Sequence, residues 1–316
     1  MISISENEIM KNWSSNHILV SICCVTYNHE PYIADALDGF LMQKTNFAFE
    51  IIVRDDYSTD KTAAIVKQYA DKYPNIIKPI FESSNQYSKG FQPFPAVMNR
   101  SVGKYIAICE GDDYWTSSVK LQRQINFLEQ NPDYSLIFHN AEIKDYDHNG
   151  TVIDTRLHTE KIPSGEVTVA QILMTKIVPT ASVVLRNVDL SYYFSKQYPV
   201  GDTPLFMYMA KFGRLYYSDE ITSVYRILTT GMVKSTLDRM DKHIAFIPYY
   251  KDLQQEFSDF EIDDVIDKLL SRKYMLTVIT SLKEKHFGYF MKYATLFLFL
   301  YPKAFINTIL TEFKLR

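Results

Sequence analysis

Cys109-Glu110-Gly111-Asp112-Asp113-Tyr114-Trp115 follows Lys104-Tyr105-Ile106-Ala107-Ile108, an aromatic and β-branched run preceded by Gly103. That run reads as a short buried strand. Asp112 and Asp113 therefore sit where a strand stops, ahead of a helical pattern that resumes near Ser117. Open α/β sheets place ligands in the crevice at the carboxyl ends of their strands. Two neighbouring hard oxygen ligands there suit a divalent cation that also holds phosphate. Adjacent aspartates are also common turn formers, so the other strand ends have to be read beside them.

Outward from this stretch, the first half of the chain alternates strand and helix. Leu19 to Val25 is an apolar strand, and Pro31 suits the first turn of a helix running to about Gln43. Phe49 to Val53 is a second strand, ending at Asp55-Asp56. Ser58-Thr59-Asp60 caps a helix, Lys61 to Lys72, that stops before Pro74. Ile76 to Phe81, a helix over Ala96 to Ser101, the Lys104 strand, a helix over Val119 to Gln130 and a strand over Tyr134 to His139 continue the pattern. This rhythm predicts an α/β fold with a mostly parallel sheet flanked by helices. From Ala141 it breaks into polar turns. Ala181–Leu185 is strand-like, with a helix after it to about Lys196, then a helix over Pro204–Lys211 and short strands Leu215–Ser218 and Ser223–Ile227. Helices over Arg239–Phe257 and Glu261–Lys285, and a last pair split near Pro302, form a C-terminal appendage. The expected organisation is a polar segment (1–17), a catalytic domain (18–237, divided near 140) and a helical region (238–316).

The bulk numbers narrow the function classes. Hydrophobic residues at 47% and charged residues at 22% fit a globular enzyme. A net charge of -3 gives no basic surface for nucleic acid. Cys23, Cys24 and Cys109 lie in strand-like runs without metal-ligand spacing, so buried thiols are expected. The first residues lack the apolar core of a secretory signal, and no run reaches the ~18–20 apolar residues needed to span a bilayer. A cytoplasmic location is expected.

In a parallel sheet, Thr26-Tyr27-Asn28, Asp55-Asp56 and Glu110–Asp113 converge on one edge. Neither G-x-G-x-x-G nor a Walker A pattern is present, so phosphate would be held by a metal rather than a glycine-rich loop. Asp55 or Asp56 suits a base or ribose donor, and Tyr27 offers a ring face.

Val25-Thr26-Tyr27-Asn28, Glu50 to Thr62, Gly103 to Ala107 and Glu110 to Trp115, in that order, resemble the successive motifs of family 2 glycosyltransferases. The likeness runs over about residues 19–140 and resumes at Gly201-Asp202 and Val224-Tyr225-Arg226. It implies a GT-A fold and inverting transfer of a sugar from a nucleotide-sugar, UDP-linked by expectation. Carried over, Thr26, Tyr27 and Asn28 lie along the nucleotide, Asp56 accepts from the base, and Asp112 faces the ribose. Asp113 is the ligand of Mg²⁺ or Mn²⁺, and Asp202 the catalytic base. Trp115 either walls the sugar pocket or packs in the core. Arg226 reaches a diphosphate or pairs with a structural carboxylate, and Arg100 is a weaker pocket candidate. Where relatives often carry a histidine after the Tyr-Arg pair, this chain has Leu228, which puts metal affinity and the loop Leu228–Ser235 in question.

The implied acceptor is a saccharide or a lipid-linked sugar in cell-surface polysaccharide assembly. Residues 287–313, rich in aromatics and leucine with interspersed lysines, either pack on the core or contact a membrane peripherally. Two further classes are weighed: a non-catalytic nucleotide-sugar or glycan-binding protein of the same fold, and a sugar nucleotidyltransferase. The second usually has a glycine- and basic-rich first loop, unlike Thr26–Glu30.

Overall fold

The computed structural model describes residues 3–160, 162–175, 177–196, 198–228 and 240–306. α1 (Glu6–Met10) precedes β1 (Ile18–Thr26), α2 (Ile33–Leu41), β2 (Ala48–Asp55), α3 (Thr62–Lys72), β3 (Ile77–Phe81), α4 (Pro93–Met98) and β4 (Tyr105–Glu110). β5 (Tyr114–Trp115), α5 (Lys120–Gln130), β6 (Tyr134–Tyr146), β7 (Val152–Leu157), β8 (Gly165–Val167) and α6 (Val169–Thr175) follow. β9 (Val184–Arg186), α7 (Ser191–Ser195), α8 (Asp202–Met209) and β10 (Arg214–Ile227) come next. The chain divides into two compact units, one of Met1–Gln197 with Gly201–Thr229, the other of Tyr198–Val200 with Thr230–Arg316.

In the first unit the strands form one sheet in the order β3-β2-β1-β4-β9-β6-β10-β5, with β7 added on β6 and β8 on β10. β3, β2, β1 and β4 are mutually parallel, whereas β9 enters antiparallel to both β4 and β6. The chain leaves β1 toward β2 on one side and later returns to β4 on the other. A crevice at such a switch point is where open sheets bind ligands.

Period-two alternation explains the layers. Val20, Ile22 and Cys24 of β1 join Phe49, Ile51 and Val53 of β2 in a core packed with Ile33, Leu37, Val66, Leu121 and Ile125 from α2, α3 and α5. The opposite face carries Ser21 and Cys23, where Cys23 Sγ meets Ser101 Oγ at 3.2 Å just beyond α4. Ser21 Oγ donates to Glu50 Oε1 (2.6 Å) and accepts from Gly103 N (3.0 Å). A Cβ on Gly103 would lie 2.7 Å from Ser21 N, so only glycine lets the chain approach β1 this closely.

Three local readings change. The polar segment before residue 18 holds α1, capped reciprocally by Ser5 and Glu8, with Ile9 buried in the core. β6 continues to Tyr146 instead of stopping at His139, because its second half pairs with β7 across the Asp147–Gly150 turn. The two strands expected around Ser218–Ser223 are one strand. The polar Asp219-Glu220 pair falls in an irregularity of the β10–β6 ladder between Ser218 and Ser223, a bulge rather than a turn.

The second unit contains α9 (Met240–Glu256), α10 (Asp263–Lys283) and α11 (Phe287–Leu300). The expected appendage start at Asp238 lies outside the described residues.

Candidate active site

Gly111 shapes the turn at the end of β4. Val25 and Glu110 are cross-strand partners, and Gly111 N donates to Val25 O at 2.9 Å. A Cβ on Gly111 would sit 2.8 Å from Thr26 Oγ1 and 2.9 Å from Ile33 Cδ1. With no side chain there, the turn folds down over Thr26, which is buried with its Oγ1 unpartnered. The Thr26 side chain thus lies under the turn, and its carbonyl takes Asp56 N at 3.0 Å.

The turn separates the two aspartates. Asp113 is buried, and its Oδ1 accepts the backbone N–H of Arg226 at 2.8 Å, while its Oδ2 is buried without a partner. Asp112 remains partly exposed, with Oδ2 3.8 Å from His29 Nε2. Burial, then Asp112 and then Glu110, push the Asp113 carboxyl well above the usual range. Burial also pushes Glu110 up to about 8, with Asp112 and Asp202 adding to it. The half-buried Tyr225 hydroxyl is raised as well, first by desolvation and then by Asp113, Glu110, Asp112 and Asp202. Residues 89 positions apart in sequence, Asp202 and Asp113, thus act on one phenol.

Asp202 opens α8, and its Oδ1 accepts from Thr203 N at 2.6 Å. A Cβ on the preceding Gly201 would lie 2.8 Å from Gln92 Oε1. The carboxylate thus starts a helix in the carboxylate-rich end of the sheet.

Arg226 is enclosed. Its Nη1 donates to Asp112 O (2.7 Å), its Nη2 to Asp35 Oδ2, and its guanidinium lies 4.3 Å from the Tyr114 ring centroid and 5.2 Å from that of Tyr32. Of the two alternatives open from sequence, the structure has the structural pairing. Trp115 is likewise core: 2% exposed, with Nε1 donating to Ala181 O at 2.6 Å and its ring packed on Phe40. β5 turns its ring inward against α2. Arg100 is exposed on the turn after α4, its backbone N donating to Val97 O at 3.1 Å.

The nucleotide side is braced from β2. Asn28 adopts φ 53°, its Oδ1 accepts Thr59 N (2.8 Å) and its N donates to Ser58 Oγ (2.9 Å). Glu30 N reaches Asp60 Oδ2 (3.0 Å) and His29 N reaches Thr62 Oγ1 (2.8 Å). The Ser58–Thr62 cluster therefore holds the first loop as well as starting α3. Tyr27, 42% exposed, keeps its ring available to a ligand. Asp56 is buried, accepting Gln86 N (2.9 Å) and Arg54 Nη2 (3.1 Å) on Oδ1 and Tyr87 N (3.0 Å) on Oδ2. It anchors the turn after β3, a role with no local signature because the backbone groups it holds, those of Gln86 and Tyr87, lie 30 and 31 residues on.

Sequence reasoning gave no role to Glu110, His29 or Tyr225. Glu110 was findable, since it is the last residue of β4 in register with Val25; the other two depend on long-range packing. Leu228, at the position of the family histidine, is buried, and residues 229–235, expected from sequence to form a loop, lie outside the described residues.

Among the described residues no three His, Cys, Asp or Glu side chains form a complete metal cage. Asp113 Oδ2 and Glu110 Oε2 are nevertheless buried carboxylate oxygens without partners. Such hard donors fit a divalent cation that takes one or two protein carboxylates and completes its shell with phosphate and water.

Residues 21–182, about half of the chain, match the family described as Glycosyl transferase family 2. An uncharacterized protein of Mycobacterium tuberculosis is 41% identical over 124 residues, 39% of this chain and 35% of that protein. The putative teichuronic acid biosynthesis glycosyltransferase TuaG of Bacillus subtilis is 31% identical over 150 residues, 47% of this chain and 55% of the relative. The chain thus matches between about a third and about half of the length of these relatives. In fold it is similar to S. aureus TarS 1–349 crystallised with UDP-GlcNAc, with TM-score 0.64 and 18% identity, covering 92% of this chain and 84% of that one. The parallel half-sheet, the antiparallel β9 and the flanking helices are those of a GT-A glycosyltransferase. The order of the strand-end motifs and the span of the family match lead to one assignment: the chain belongs to glycosyl transferase family 2.

Proposed function

We propose that the protein is a metal-dependent inverting glycosyltransferase. It moves a sugar from a UDP-sugar to a saccharide or lipid-linked acceptor in cell-surface polysaccharide assembly. The observation that carries this reading is the buried, unpartnered Asp113 Oδ2 beside Asp112 and Glu110, the latter within the field of Asp202. The UDP-GlcNAc bound to TarS and the teichuronic acid pathway in TuaG's name support the donor class and the setting.

Tyr27 offers its ring to the base, with Asn28 and Asp56 fixing the loops on either side. Asp112 faces the ribose. Asp113, with Asp112 beside it, would hold Mg²⁺ or Mn²⁺, which when bound offsets the negative charge of a nucleotide diphosphate. Asp202 takes the proton of the acceptor hydroxyl as its oxygen bonds to the anomeric carbon from the face opposite the departing UDP. The bond from that carbon to the diphosphate breaks, and configuration inverts. General-base help of this kind contributes ~10²–10⁴-fold.

Asp202→Asn tests the assignment. Transfer should fall by roughly 10²–10⁴-fold while UDP-sugar affinity, measured by calorimetry, stays within about twofold. Undiminished turnover would remove Asp202 as the base. A wild-type protein that binds UDP-sugar but never releases UDP with any acceptor would favour the non-catalytic reading.

A further inference from the structure

α11 and the residues just after it carry a surface that the transfer chemistry does not use. The helix buries Tyr293 and Phe297, and Tyr293 and Tyr301 pack against Tyr274 of α10. The side turned to solvent is nevertheless apolar. Phe287 (66% exposed), Met291 (63%) and Leu298 fall four and seven residues apart and so share one stripe, Phe299 (82%) lies about 100° round the helix from Leu298, and Leu300 is exposed at the helix end on a different side. Ile306 continues the exposed apolar surface beyond the helix. A helix that is apolar on every side is normally enclosed by protein or lipid, and exposed apolar patches of this kind mark interaction sites.

Charge indicates what covers it. From 285 to 306 the chain contains no Asp or Glu, while Lys285, Lys292 and Lys303 are all exposed. Lys292 lies on the helix, and the other two flank its ends. Long lysine side chains at such positions carry their ammonium groups to the headgroup level while their stems stay among apolar neighbours. Fourteen residues give roughly 21 Å of helix, less than the ~30 Å hydrocarbon core. No helix among the described residues is long and apolar enough to cross a membrane. The helix can therefore lie in an interface but not span it.

We propose that the outward face of α11 seats this protein on bilayers bearing anionic headgroups. Phe287, Met291, Leu298 and Phe299 enter the acyl boundary, and Lys285, Lys292 and Lys303 meet the lipid charge. The inference stands apart from the transfer reading, since its test uses no donor or acceptor.

The full chain is co-sedimented with vesicles of phosphatidylcholine alone and of phosphatidylcholine with a third phosphatidylglycerol. Binding should appear on the anionic vesicles, weaken with added salt, and fall roughly fivefold for each lysine changed to glutamine. Leu298→Glu with Phe299→Glu, both at exposed positions, should reduce it at least about tenfold with an unchanged circular dichroism spectrum. Absence of binding to anionic vesicles would overturn the proposal, as would a double variant that binds like wild type. A wild-type dimer that the double variant converts to monomer, with vesicle binding intact, would assign the face to a second copy of the chain instead.

Discussion

The backbone N–H of Arg226 donates to Oδ1 of Asp113 at 2.8 Å, across 113 residues of sequence. The same arginine sends its guanidinium to the carbonyl of Asp112. One residue of β10 thus fixes both halves of the Asp112-Asp113 turn, leaving a single buried oxygen of Asp113 for a ligand. Tyr32 and Tyr114 enclose the guanidinium and Asp35 of α2 accepts from it, so Arg226 ties β10, α2 and the turn together.

Arg226→Ala should therefore cost about 2–4 kcal/mol in urea unfolding, because it strands the Asp112 carbonyl and empties a ring-lined space. Asp35→Asn removes only the outer partner. Asp35 is 56% exposed, so this change should cost less than about 1 kcal/mol. Equal losses for the two variants would contradict the account of Arg226 as a clamp on the turn.

Gly111→Ala places a methyl 2.8 Å from Thr26 and 2.9 Å from Ile33. Both neighbours are buried in packed elements, so the turn must lift. We expect a loss of about 1–3 kcal/mol in stability and metal-dependent UDP binding weakened at least about tenfold. A variant with wild-type unfolding and wild-type UDP affinity would show that the turn has room to spare.

Much of this arrangement was legible in the sequence, and what was not shares one cause. Strand ends announce themselves locally: an apolar run stops at Thr26, Asp55 or Glu110, and the parallel sheet sends all of them to one edge. Arg226, Trp115 and Asp56 could not be settled that way. Their roles depend on partners 30 to more than 100 residues distant, Gln86 for Asp56, Ala181 for Trp115 and Asp112 for Arg226. β10 misled for a related reason. Ser218-Asp219-Glu220 has turn chemistry, but the ladder to β6 on both sides keeps the strand continuous.

His139 supplies a pH signature away from the site. It is buried, its Nδ1 lies 3.1 Å from Thr222 Oγ1, and desolvation, with Lys120 and Arg123 adding to it, pushes its imidazole down to about 3. The unfolded chain takes up a proton near 6.5 that the folded protein refuses. Its contribution is therefore complete above about 6.5 and is lost as pH falls toward 3, on the order of a few kcal/mol. In urea unfolding at a series of pH values, His139→Gln should lose less stability than wild type between pH 6.5 and 4. Parallel curves would contradict the assignment.

Asp113 is the most direct test of the whole reading. Calorimetric titration of UDP, GDP, dTDP and CMP into wild type and Asp113→Asn, each with Mn²⁺ and with chelator, separates metal-mediated binding from the rest. We predict that UDP binds wild type in Mn²⁺, at least about tenfold more weakly in chelator, and that Asp113→Asn shows the weak value in both. Binding that is indifferent to metal and unchanged in Asp113→Asn would contradict the assignment of the Asp112-Asp113 turn as the metal-and-diphosphate site.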